Sequence, residues 1–142
     1  MRAAVLATVV LAVVTSVVFA LVLPSLAQAP FDGSVPLKCA IQSVMSCNSP
    51  AGCVSGTAQT VLLPPVITVD VGKRLISGAA TGRTAKITSA DQGAGKLMIA
   101  GQDLQTLGNM WGVVIEQKTG AMSGAMLSHG GGFLMFGSCT AG

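Results

Sequence analysis

Tyrosine is absent, histidine occurs once, and Asp, Glu, Lys and Arg together make up only 9% of the 142 residues. A single imidazole means that any nucleophile triad has to use His129. Scarce charge combined with 51% hydrophobic residues excludes an intrinsically disordered chain. Beyond Arg2 the basic residues are nearly balanced by five acidic ones, so no basic field remains to hold nucleic acid. Eighteen glycines argue against a heptad coiled coil, and the lack of a second long apolar run argues against a multi-span membrane protein. There is no Cys-x-x-Cys pair, no Gly-x-Ser-x-Gly elbow and no twin arginine. Zinc-ligand spacing, a hydrolase nucleophile turn and export of a prefolded chain therefore lack their usual signatures.

What is present begins with an address. Met1-Arg2 precedes an uncharged stretch, Ala3 to Leu23, and then Pro24-Ser25-Leu26-Ala27, a breaker followed by small residues. This order reads as a signal peptide over 1–27. Cleavage after Ala29 would place Pro30 directly beyond the scissile bond, so Gln28 is expected to begin the mature chain. The alternative is an uncleaved anchor, because 21 apolar residues are also long enough to span a hydrocarbon core of about 30 Å. The expected address is periplasmic or secreted, with no membrane contact once the signal is removed; the alternative is attachment to the inner membrane.

All four cysteines, Cys39, Cys47, Cys53 and Cys139, lie beyond that leader. An even number in a small exported domain reads as disulfides. Three pairings are open. The favoured one closes a short loop with Cys47–Cys53 and ties the first strand to the last with Cys39–Cys139. In the chain-entropy picture the longer loop contributes about 4–5 kcal/mol.

After the leader, β-branched residues alternate between turn signals every 8 to 12 residues, and no helical periodicity appears. Strands are expected over 37–47, 53–62, 66–71, 74–78, 83–89, 96–101, 110–117, 121–129 and 132–139. The turns between them are too short for crossover helices, so neighbours should pair as hairpins. Parity places Leu37, Cys39, Ile41, Met45 and Cys47 on one face of the first strand. Trp111, Val113 and Ile115 share a face, as do Phe133, Met135, Gly137 and Cys139. Closing the sheet hides its edges. The expected fold is all-β, a small antiparallel up-and-down β-barrel of about eight strands over 37–142, with a two-sheet sandwich as the alternative. Residues 28–36, with Pro30, Gly33 and Pro36, are expected as a flexible arm.

The stretch from Trp111 through Gly120 and Met122 to Phe136 and Cys139 resembles the terminal hairpins of small periplasmic proteins of unknown function from Gram-negative bacteria. The surroundings of Cys39, Cys47, Cys53 and Arg83 resemble the same group. That resemblance implies a secreted, disulfide-braced β-domain and assigns no catalytic residue. More remotely, the architecture resembles the barrel of membrane-associated inhibitors of c-type lysozyme, with the Ser77 to Arg83 stretch similar to their Ser/Gly-rich inhibitory loop. The tyrosine that should follow this loop is missing.

The remaining motifs weigh toward structure. Ser123, Ser128 or Ser138 with His129 and Asp103 or Glu116 would make a triad, but Ser128-His129 before three glycines reads as a polar hairpin tip. The five carboxylates stand apart, with nothing to pair them as a glycosidase would require. Gly93-Ala94-Gly95-Lys96 and Gly78 to Arg83 resemble phosphate cradles only in glycine content, since no helix follows. Met122 and Met126 would lie about 13 Å apart on an extended strand, too far to share a copper ion. No cofactor or metal is expected. The function expected is a non-enzymatic envelope protein that binds another envelope protein or a small ligand, with Trp111, Arg83 and His129 as candidate accessible contacts. An inhibitor of an envelope-directed enzyme such as lysozyme and a small hydrolase using His129 are the alternatives.

Overall fold

The computed structural model describes residues 30–103 and 108–142. The expected signal peptide and its cleavage point lie outside the described residues. Nine strands follow in order: β1 (Leu37–Asn48), β2 (Gly52–Gly56), β3 (Val66–Asp70), β4 (Leu75–Gly78), β5 (Thr84–Gly93), β6 (Lys96–Asp103), β7 (Met110–Glu116), β8 (Ala121–Ser128) and β9 (Gly131–Ala141). One short 3-10 turn, η1 (Ala58–Val61), separates β2 from β3.

Every pairing is antiparallel, and β9 returns to β1 along its whole length, from Leu37 opposite Ala141 to Asn48 opposite Gly131. The result is a closed eight-strand barrel of β1 and β3 to β9, with β2 as one extra strand. The expected barrel is thus observed, with one change in connectivity. β2 and β3 do not pair with each other. Both use the same edge of β1: β3 pairs with Leu37 to Ala40, and β2 with Val44 to Asn48. The chain makes this step because the expected strand 53–62 ends at Gly56 and turns into η1, closed by Leu62 in the left-handed region at φ 58°. Two prolines follow, and the Pro65 carbonyl accepts the amide of Ile41 as the chain rejoins β1.

Inward residues alternate as the pleat requires. Leu37, Val69, Ile87, Leu97, Val113 and Ile115 are almost wholly buried and form the centre of the core. The phase slips twice. A bulge between Ile41 and Ser43 leaves Gln42 without a β9 counterpart, and another between Ile87 and Ser89 does the same to Thr88 on β5. An extra residue bends and coils a strand, which helps a sheet close. On β1 it also reverses which parity points inward. Val44 is buried, whereas Met45, expected inside, is exposed. Cys39 and Cys47 consequently face opposite sides of the sheet.

Cys39 is bonded to Cys139 and Cys47 to Cys53, each pair directly opposite across neighbouring strands. The first pair lies in the core across the β1–β9 seam, joining residues 100 apart; the second lies outside it. Two such bonds are what an oxidising compartment maintains.

Residues 30–36, expected as a flexible arm, fold against one end of the barrel. Phe31 packs on the core and Asp32 is buried. The Asp32 carbonyl accepts a hydrogen bond from Gln92 Nε2 at 2.9 Å, and its carboxylate accepts the Ser34 amide at 2.8 Å. The Gly142 amide donates to Pro36 O at 2.9 Å, so both ends of the described chain meet here. The opposite end carries η1 and the β1–β2, β4–β5 and β8–β9 connections, together with Asp103 and Asn109.

Candidate functional site

The two walls of the barrel differ in charge. β8 and β9 contain no Asp, Glu, Lys or Arg; β1 has only Lys38 at its start and β7 only Glu116 at its end. Their outward positions form cross-strand rows. Met45 lies opposite Leu134, which lies opposite Ala125 and then Gly112. A second row runs Phe136, Ser123, Val114, Met98, and a third brings Gly132, Leu127 and Met110 side by side. Met110 and Leu127 remain more than 60% exposed, and Met45, Leu134, Phe136 and Met98 about 40% or more. Four strands about 4.8 Å apart and about seven residues long have a footprint on the order of 400 Å², within the range of the largest apolar patch of a typical monomer, which is often functional. Where this wall meets the end that carries η1, a depression of about 630 Å³ lies between the β1–β2 and β8–β9 hairpins, lined by the Cys47–Cys53 disulfide, Pro50, Leu127 and Leu134 among others.

The other wall carries the charge. Lys73 and Arg74 occupy the β3–β4 turn, Lys86 and Asp91 lie on β5, and Lys96 opens β6. Three of these groups are engaged: Lys73 Nζ is 3.5 Å from Asp70, Lys96 Nζ is 3.5 Å from Glu116, and Arg74 Nη1 donates to Thr88 O at 2.9 Å. Ala94 and Gly95 both have positive φ, so Gly93 to Lys96 is the tight β5–β6 hairpin turn its glycines indicate.

At the end of the barrel that carries η1, Arg83 turns inward. Its Nη1 donates to Leu62 O at 2.7 Å and its Nη2 to the carboxylate of buried Asp103 at 3.3 Å. Arg83, Asp103, Asn109 and Ser128 line a depression of about 210 Å³. Beneath it is a cavity of about 80 Å³ in the barrel interior, whose described lining is wholly apolar; Leu63, Met126 and Phe133 border both spaces.

Trp111 was expected as an accessible contact. It is instead buried, at 6% exposure, because its strand position points inward; it lines the interior cavity. Arg83 is only partly exposed and is committed to Asp103 and Leu62. His129 is exposed in the turn between β8 and β9. The candidate triad members are spread over the barrel. Ser128 donates to Gly131 O, Ser138 accepts from Gln42 on the outer face, and Glu116 pairs with Lys96 at the other end. Ser128 and Asp103 reach the same depression, which His129 does not line. Among the described residues no group of three His, Cys, Asp or Glu gathers as a metal site. Among the described methionines, Met122 and Met135 fill the core, Met45 and Met110 emerge on the uncharged wall, and Met98 is exposed beside it on β6. Parity alone missed Met45 as part of that wall because the Gln42 bulge places it outside.

In comparison with known proteins, the chain matches no family model, no curated protein and no solved structure. Among the described residues no helix is long and apolar enough to cross a membrane.

Proposed function

We infer that this protein is a non-enzymatic binding module of the periplasm, exported by its N-terminal signal, that docks through the uncharged wall of β1, β7, β8 and β9. The observation that carries this reading is the segregation of charge: Met45, Met110, Leu127, Leu134 and Phe136 are exposed on strands whose only charged residues are Lys38 and Glu116 at their ends, whereas Lys73, Arg74, Lys86, Asp91 and Lys96 occupy the other wall. The partner is an envelope protein that presents an uncharged apolar surface, since such a surface gains by covering Leu127, Leu134 and Phe136 and forfeits no hydration of charge. The disulfides and the signal support the compartment. The dispersal of serine, histidine and carboxylate groups supports a role without catalysis.

The test is capture from periplasmic extract on immobilised, oxidised protein, comparing wild type with Leu127→Glu/Leu134→Glu and with Lys86→Glu. The expected result is retention of the same polypeptides by wild type and Lys86→Glu and their loss from the double variant. Equal retention by all three contradicts the reading. A concentration-dependent dimer that only the double variant abolishes would replace the envelope partner with a second copy.

A further inference from the structure

We propose that the free edge of β2 pairs antiparallel with β2 of a second copy of this chain, about a two-fold axis at Val54. This interface lies along the rim of the sheet and does not depend on the uncharged wall. Among the described strands, β2 alone has a single neighbour, β1, whereas every other strand is paired on both sides. Gly52 to Ser55 are exposed, with Val54 at 66%, so the described residues leave this edge open. The phase of the ladder decides which backbone groups face outward. Opposed residues of an antiparallel pair alternate between those that exchange hydrogen bonds, about 5.5 Å apart at Cα, and closer ones, about 4.5 Å apart, that do not. Cys47 and Cys53 are 4.0 Å apart and are therefore a pair of the second kind. The other side of β1 agrees: Ser49 turns its amide to Gly130 O beyond β9, and its same-parity neighbours Cys47 and Met45 turn the same way. Cys53 and Ser55, which lie opposite Cys47 and Met45, consequently aim their N–H and C=O groups at the free rim, while Val54 bonds back to Ser46.

This arrangement is its own complement. Turned about an axis at Val54, β2 sets Cys53 opposite Ser55 and Ser55 opposite Cys53, so each rim residue exchanges both backbone hydrogen bonds with its counterpart. Gly52 then faces Gly56, with no side chain to obstruct the approach, and the two Val54 side chains meet on the axis. Natural edges are usually shielded by charge, proline or a bulge. Here no Asp, Glu, Lys or Arg occurs between Lys38 and Asp70, and β2 contains no proline. Two copies therefore meet without like-charge repulsion. A foreign strand would have to match the spacing of the rim groups, whereas a second copy matches it by symmetry. Five-residue strands bury little surface, which places the dimer among the weak, concentration-dependent interfaces of less than about 1,200 Å².

The test is analytical ultracentrifugation of oxidised protein at low salt, between about 1 μM and 1 mM, which spans the affinities of weak interfaces. The expected result is a reversible monomer–dimer equilibrium, with amide exchange at Cys53 and Ser55 slowing as concentration rises. Val54→Lys and Val54→Glu each put like charges on the axis and should each weaken self-association about threefold or more. Val54 is exposed, so both variants keep the fold. Mixed in equal amounts they should associate more tightly than either alone, because opposite charges then meet. Ser55→Pro removes a rim N–H and no bond to β1, and should weaken the dimer about tenfold or more. A protein that stays monomeric throughout, a dimer lost only in Leu127→Glu/Leu134→Glu, or a Lys/Glu mixture no tighter than its components would each overturn the proposal.

Discussion

Gly101 and Trp111 stand opposite each other on β6 and β7, and the indole takes the space that any side chain at 101 would need. A Cβ at Gly101 would also collide with the Lys86 carbonyl on the other neighbouring strand. The glycine is therefore required by close approach from two sides, and neither neighbour can easily withdraw. Gly101→Ala is expected to lower stability by about 1–3 kcal/mol through overpacking. Urea unfolding checks this, with Gly112→Ala, whose Cβ would meet nothing closer than 3.8 Å, as the comparison.

The two disulfides should contribute unequally. Cys39–Cys139 closes a separation of 100 residues inside the core, while Cys47–Cys53 closes six residues on a strand beside the barrel. Replacing the first pair with alanines should cost about 3–5 kcal/mol and the second about 2 kcal/mol or less. Denaturation midpoints of the two double variants give the order directly; the reverse order would contradict the seam's role.

Asp103 and Arg83 make a further comparison. Asp103 is 7% exposed and Arg83 about a third exposed, whereas Lys96 and Glu116 form an ion pair open to solvent. Asp103→Ala leaves a guanidinium partly desolvated and is expected to cost about 1–3 kcal/mol, below the full penalty of a wholly buried pair. Lys96→Ala should cost less than about 1 kcal/mol. Thermal unfolding at equal protein concentration separates the two.

Strand periodicity and turn residues made the all-β class, the hairpin order of β3 to β9 and the inward face of Trp111, Val113 and Ile115 legible in the sequence. The connection of β2 was not legible, because Val61 and Leu62 continue an apolar pattern while the backbone has already turned into η1. Nor were the bulges. Neither Gln42 nor Thr88 carries a local signal such as glycine, and a slip of one residue inverts every later side chain on its strand. That inversion took Met45 and Cys47 from the expected interior to the outer face and so concealed the β1 edge of the apolar wall. The placement of Trp111 was half legible: parity put the indole inside, but only the barrel's closure shows that it is inaccessible from the outer surface and that its N–H has no partner among the described residues. The packing of residues 30–36 was not legible, since the placement of Phe31 and Asp32 depends on residues distant in the chain.

The docking wall is tested most directly by photo-cross-linking in the envelope of the producing cell, with a photoreactive side chain placed at Phe136 on the uncharged wall or at Asp91 on the charged one. Both positions are exposed and both lie on strands of the same barrel. The account predicts a discrete cross-linked adduct with another envelope protein from position 136 and none from 91. Adducts of equal yield from both positions, or from 91 alone, would contradict it.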